Sequence, residues 1–244
     1  METSKPSARA SYLVAGSKPW NRRVFDDVLS LLPGMWHYVG SPEEPWLEVV
    51  QRVSPRYIFF LHWSGKVPAE IIENFECVCF HMTDVPYGRG GSPLQNLVVR
   101  AHRETKLTAL RMTGEFDAGP VYLKEPLSLE GNAEEIYLRA TNLSSRMIQS
   151  IIREQLDPTP QQGEVVNFKR RKPEESVIRN PASLQELYDF IRMLDADGYP
   201  HAFLDYAGFR LEFSRAGLYD GRIQADVRIT AVPSAGDATQ GDRK

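Results

Sequence analysis

The sequence predicts an α/β fold: a mainly parallel sheet with helices on its faces, followed by a small C-terminal unit of one helix and antiparallel strands. Between Ser11 and Phe80, short apolar runs alternate with helical patterns, the rhythm of strand–helix–strand crossovers. The runs are apolar throughout, as strands covered on both faces are. After Pro181 one amphipathic stretch precedes three β-rich stretches joined by short turns, which is the pattern of a small antiparallel sheet.

The first strand is Ser11 to Ala15, ending at Gly16, and a helix carrying Val24, Val28, Leu29 and Leu32 follows until Pro33 and Gly34 stop it. Pro42 to Val53 gives a second helical pattern. Arg56 to His62, apolar and aromatic, reads as a central strand. A short helix from Pro68 to Asn74 leads to a strand at Cys77 to Phe80, and His62, Trp63 and His81 fall at strand carboxyl ends, where open α/β sheets bind ligands. Ser92, Pro93 and Gln95 are spaced as a helix start; the helix runs to about His102, with Leu94, Leu97, Val98 and Ala101 set to pack on the sheet. Leu107 to Thr113 and Val121 to Pro126 are strands with Asp117-Ala-Gly119 turning between them. Asn132 and Glu135 open a long helix that ends before Pro158.

In the C-terminal unit Ser183 and Glu186 open a helix with an apolar face of Leu184, Leu187, Phe190, Ile191 and Leu194. Strands follow at Ala202 to Tyr206, Phe209 to Phe213 and Arg222 to Ile229. The expected division is residues 1–10 disordered, 11–178 a catalytic domain, 179–232 a small C-terminal domain and 233–244 a disordered tail.

The 244 residues are 42% hydrophobic and 25% charged, ordinary for a globular protein with a sizeable core. Lys and Arg number 29 against 32 Asp and Glu, a net charge of −3 that gives no reason to expect a nucleic-acid partner. Phe168-Lys-Arg-Arg-Lys172 reads as a solvated basic face. No apolar run reaches the roughly 20 residues that span a bilayer, and no apolar core of signal type follows the polar start. A cytoplasmic protein is expected, without a membrane partner. There is no Gly-x-Gly-x-x-Gly after the first strand and no Gly-x-x-x-x-Gly-Lys-Ser/Thr anywhere, so nucleotide-cofactor chemistry is not indicated. Cys77 and Cys79 are the only cysteines; two apart on a strand they suit neither a disulfide nor a metal site and read as reduced core thiols.

The chemistry concentrates in residues 77–119. His81, at a strand end beside a Gly- and Pro-rich turn, is by its residue type either a structural histidine or an acid, base or oxyanion stabiliser. Its context is specific: Thr83, Pro86, Arg89-Gly90 and Pro93 follow, and Asp117 lies 36 residues further along. Cys79-Phe-His81-Met-Thr83-Asp-Val-Pro86-Tyr-Gly-Arg89-Gly90-Gly-Ser-Pro93, then Phe116-Asp117-Ala-Gly119, resembles the centre of the folate-dependent formyltransferase family. That centre reads Asn-x-His-x-Ser-Leu-Leu-Pro-x-x-Arg-Gly-x-x-Pro with a later Asp-x-Gly. Ser176-Val-Ile178, Ile191-Arg192 and Tyr199-Pro200-His-Ala202-Phe203 resemble the segment joining such domains to their small C-terminal domains. The family includes methionyl-tRNA, glycinamide ribonucleotide and sugar N-formyltransferases, and the chain's length and C-terminal unit look most like the last.

The resemblance implies a Rossmann-like sheet and transfer of a formyl group from 10-formyltetrahydrofolate, the co-substrate, to an acceptor amine through a tetrahedral intermediate. In it His81 would stabilise the oxyanion and help move protons, and Asp117 would orient His81 and accept the amine proton. Cys79 stands where the family has Asn, removing an amide donor; His81, Thr83 or a loop N–H are the candidate replacements. The resemblance places the pterin against Trp63, Gly65, Lys66 and Val67 and against Gly114, Glu115 and Phe116, with Tyr87, Arg89 and Gly90 at the entrance. It implies an amino-dideoxysugar carried on a nucleotide, or an amino nonulosonic acid, as acceptor; other amines are glycinamide ribonucleotide, an amino acid derivative or aminoacyl-tRNA. A homodimer is compatible with it. Two rival readings stay open: a binding module that has lost catalysis, and a hydrolase using the Cys79 thiol with His81.

Overall fold

The computed structural model describes residues 10–63 and 65–232. The disorder expected for 1–10 and 233–244, and the placement of Ser64, lie outside these residues, Ala10 excepted.

Among the described residues, eight strands and five α-helices reach from Ser11 to Phe168: β1 Ser11–Ala15, α1 Pro19–Asp27, β2 Met35–Val39, α2 Trp46–Val53, β3 Tyr57–Phe60, α3 Ala69–Asn74, β4 Cys77–His81, β5 Tyr87–Gly90, α4 Pro93–Val98, β6 Glu104–Arg111, β7 Val121–Ser128, α5 Ala133–Glu154 and β8 Val166–Phe168. The main sheet has the order β2-β1-β3-β4-β6-β7. Its first four strands are parallel, and β6 and β7 are added antiparallel. β1 and β3 are buried along their whole length, as their apolar runs require.

Three strands escape the sequence reading. β2 falls between Gly34 and Pro42, where the sequence reading assigns no element. With a His at its centre and only Val39 buried it is an edge strand, whose place is decided by in-register pairing with β1. β5, in the expected Gly- and Pro-rich turn, and β8, where the sequence reading assigns no element, pair in parallel across almost eighty residues of chain. α4 is also shorter than expected, ending at Val98, with Ala101 at φ +59° closing the turn.

By contact the chain divides into two units. One holds residues to 93, 104–128 and 137–169; the other holds 94–103, 129–136 and 170 onward. The α4 segment, expected on the sheet, groups with the second unit, where the Gln95 amide donates to Met193 O at 3.0 Å. In the first unit Leu13, Ile58, Phe60, Trp46, Val50, Ile71 and Cys77 form a buried cluster, each large side chain contributing about 2 kcal/mol by leaving water.

In the second unit, α6 Leu184–Arg192 precedes β9 Ala202–Tyr206, β10 Phe209–Tyr219 and β11 Arg222–Ala231, an antiparallel sheet in the order β11-β10-β9. A bulge between Ser214 and Gly217 divides β10. The caps expected at Asn132 and Ser183 form: Asn132 and Glu135 exchange hydrogen bonds, and Ser183 Oγ accepts from Glu186 N. Arg192, only 2% exposed, donates to Asp189 Oδ1, Leu129 O and Gly131 O. Among the described residues no helix is long and apolar enough to cross a membrane.

Candidate active site

β4 carries His81 to its carboxyl end, where the ring is 8% exposed. Its Nε2 lies 2.8 Å from Gly88 O and its Nδ1 3.5 Å from Asp117 Oδ1. Both neighbours are acceptors, so the imidazolium, with an N–H on each nitrogen, matches the two together. A neutral ring matches one.

Asp117 is delivered by the β6–β7 connection, which folds tightly on itself. A Cβ on Gly119 would lie 1.8 Å from Arg111 O, so only glycine permits this path. Asp117 itself has φ +52°, a left-handed conformation that Asp tolerates better than most residues. Its Oδ2 accepts the Gly90 N–H at 2.9 Å. Gly90, at φ +102°, is equally required, since a Cβ there would meet Phe168 O at 2.5 Å.

Gln161, which the sequence reading did not single out, completes this frame. Its Nε2 donates to Asp117 O at 2.7 Å and Gly119 O at 2.8 Å, and its Oε1 accepts from Arg89 Nε and Nη2 at 3.1 and 2.8 Å. The only sequence signal was a Pro-Gln pair in a loop, which has no periodicity to read.

Among the expected replacements for the missing amide, Thr83 is fully buried and its hydroxyl donates to Gly88 O at 3.3 Å, so it serves the frame. Cys79 packs against Val85, Leu110 and Val121 and also against the Leu13–Phe60 cluster. Burial first, then the Asp117 carboxylate and Cys77, push its thiol far up, so it stays protonated near neutral pH.

The expected cofactor positions divide. Tyr87, expected at the entrance, is a half-buried strand residue, its ring edge-on to Phe168 at 5.5 Å. Gly114, Glu115 and Phe116 are exposed, Phe116 to 89%. Val67 is buried and Trp63 half-buried, its ring edge-on to Trp46 at 5.1 Å, while Lys66 is exposed. The buried Trp63 Nε1–H has no acceptor among the described residues. A flat heteroaromatic bearing hydrogen-bonding groups fits such a set, which offers an unsatisfied donor in one loop and an exposed ring in another. Among the described residues no group of three or more His, Cys, Asp or Glu is placed to hold a metal ion.

A second histidine closes β3. His62, at φ +49°, stands perpendicular to Tyr137 at 4.3 Å and to Trp20 at 6.1 Å. Burial, with a smaller contribution from Lys18, lowers its pKa to about 4. The unfolded chain therefore takes up a proton below about pH 6.5 that the folded chain refuses until about pH 4. Stability is expected to fall across that window as pH drops, by on the order of 2 kcal/mol after allowance for solvent at this half-buried ring. Urea midpoints of the wild type and His62→Gln, followed from neutral pH downward, should converge; parallel curves would remove His62 as the cause.

The model of the methionyl-tRNA formyltransferase C-terminal domain matches residues 173–230. Methionyl-tRNA formyltransferase of Rickettsia massiliae is 23% identical over 154 residues, which are 62% of this chain and 49% of that protein. The chain thus spans about half the length of the curated relatives it matches. A sugar N-formyltransferase from Shewanella sp. shares the fold at 12% identity, with a TM-score of 0.60 over 92% of this chain and 99% of that one. Methionyl-tRNA formyltransferase from Clostridium thermocellum is 43% identical, with a TM-score of 0.86 over 91% of this chain and 99% of that one. At that identity and coverage the chain belongs to the formyltransferase family.

Proposed function

We infer that the protein transfers a formyl group from 10-formyltetrahydrofolate to the amine of a small acceptor, an amino-dideoxysugar on a nucleotide or a related amino nonulosonic acid. The observation that carries this reading is buried His81 facing half-buried Asp117, braced by Gly88 O and Gly90 N–H, in a member of this family. The bound co-substrate supplies an activated formyl carbon. Trp63, Gly65, Lys66 and Val67, with Gly114, Glu115 and Phe116, hold it, and Tyr87, Arg89 and Gly90 frame the entrance.

Asp117 accepts a proton from the attacking amine, directly or through water, while Gly90 N–H keeps its other oxygen in place. His81 stabilises the negative charge that develops on the formyl oxygen and helps move protons, in a site shielded from water. Cys79 forms an apolar wall rather than a donor or nucleophile, because a thiol held protonated attacks poorly.

The small acceptor is favoured over tRNA by charge. Residues 173–230, the segment matching the methionyl-tRNA formyltransferase C-terminal domain, carry six Arg and no Lys against ten Asp and Glu. That is the wrong sign for neutralising phosphates.

The test is incubation of the folded protein with 10-formyltetrahydrofolate and, separately, nucleotide-linked amino sugars, glycinamide ribonucleotide and methionyl-tRNA. Mass spectrometry should show one formyl group added to an amino sugar. Formylation of none of these, or of methionyl-tRNA in preference, would overturn the reading. Cys79→Ala should keep the activity; its abolition would favour a thiol mechanism.

A further inference from the structure

We propose that Gln161 is a positioning residue of this site, holding Asp117 in its strained conformation and aiming its carboxylate at His81. The proposal rests on the reading of His81 and Asp117 given above. A primary amide has two N–H donors and two acceptor lone pairs. In Gln161 all four are used: both donors on the carbonyls of Asp117 and Gly119, both lone pairs on the Arg89 guanidinium. The amide orientation follows from its partners, since a flipped group would set its oxygen against two carbonyl oxygens and its N–H groups against a cation.

The two segments joined by Gln161 are those that make the His81–Asp117–Gly90 arrangement. Asp117 needs its backbone held at φ +52°, and its carbonyl is one of the two that Gln161 grips. Arg89 immediately precedes Gly90, whose N–H fixes Asp117 Oδ2. A closed ring results: Asp117 carboxylate to Gly90 N–H, along the chain to the Arg89 side chain, to Gln161, and back to the Asp117 carbonyl. Gln161 is itself anchored two residues upstream, where Thr159 and Val121 exchange backbone hydrogen bonds of 2.8 and 2.7 Å. A side chain placed only to close a loop has no need to span both catalytic segments with every polar valence filled.

Gln161→Glu keeps the size and the bond to Arg89 but loses both N–H donors and sets negative charge against two carbonyls. It should lower kcat by about tenfold or more while KM for both substrates stays within about twofold, the signature of misaligned groups rather than lost binding. Independently of any substrate, NMR-detected hydrogen exchange at the Gly90 amide should accelerate by about tenfold, because Asp117 no longer holds that N–H in place. Gln161→Met, which loses the polar group without adding charge, should show the same kcat loss and faster exchange, and guards against misfolding of the charged variant. Unchanged kcat in an active protein, a rise in KM alone, or unchanged Gly90 exchange would overturn the proposal. If the wild type formylates no amine, the functional reading fails, while the Gly90 exchange still decides whether Gln161 holds Asp117.

Discussion

Asp117→Asn is expected to lower the formyl-transfer kcat by about three powers of ten, within the range for loss of a positioned acid or base, and to leave the thermal midpoint almost unchanged. The substitution is isosteric, and the amide oxygen can still accept the Gly90 N–H that Asp117 Oδ2 accepts at 2.9 Å. The amide N–H₂ would then face His81 Nδ1, which becomes an acceptor, while Nε2 keeps its bond to Gly88 O. A neutral His81 is thus fully satisfied in the variant, the geometry survives, and what vanishes is the carboxylate that takes the amine proton and faces His81 Nδ1. His81→Ala should cost a similar factor. The double variant should be little worse than either single one, because groups acting as a unit are not additive. Steady-state kinetics alongside circular dichroism melts decide it, and a rate for Asp117→Asn within about tenfold of wild type would remove Asp117 from the chemistry.

Arg192→Ala is expected to destabilise the protein by about 3 kcal/mol, read as a shift in urea midpoint. The guanidinium is 2% exposed and donates to Asp189 Oδ1 at 2.6 Å, Leu129 O at 2.6 Å and Gly131 O at 2.8 Å. Truncation strands two carbonyls and leaves the Asp189 carboxylate with the Gln185 amide at 2.9 Å and the more distant Arg103 at 3.4 Å. Asp189→Ala alone should also be costly, and the double variant should lose less than the sum of the two. Loss below about 1 kcal/mol would mean that water replaces the guanidinium at the carbonyls.

Much of this protein is legible in one dimension because the signals are local. The apolar run Ser11–Ala15 is a strand, Asn132 and Glu135 cap a helix, and His81 ends β4. Even the pairing of His81 with Asp117 could be anticipated, through the resemblance of the residues between them to a known family. Cys79 read as a reduced core thiol and as a departure from that pattern. Which residues its thiol lies against, Val85, Leu110 and Val121, needed the fold.

The sequence by itself determined the strand and helix rhythm, the carboxyl-end location of His81, and the glycines at 90 and 119. These depend on residues close in the chain and on backbone preferences. Only the tertiary structure decided the edge strand β2, the β5–β8 pairing and Gln161. Each of these is a contact between segments far apart in sequence, made by polar or backbone groups. No periodicity announces such groups, and their partners are chosen only once the sheet has brought them together.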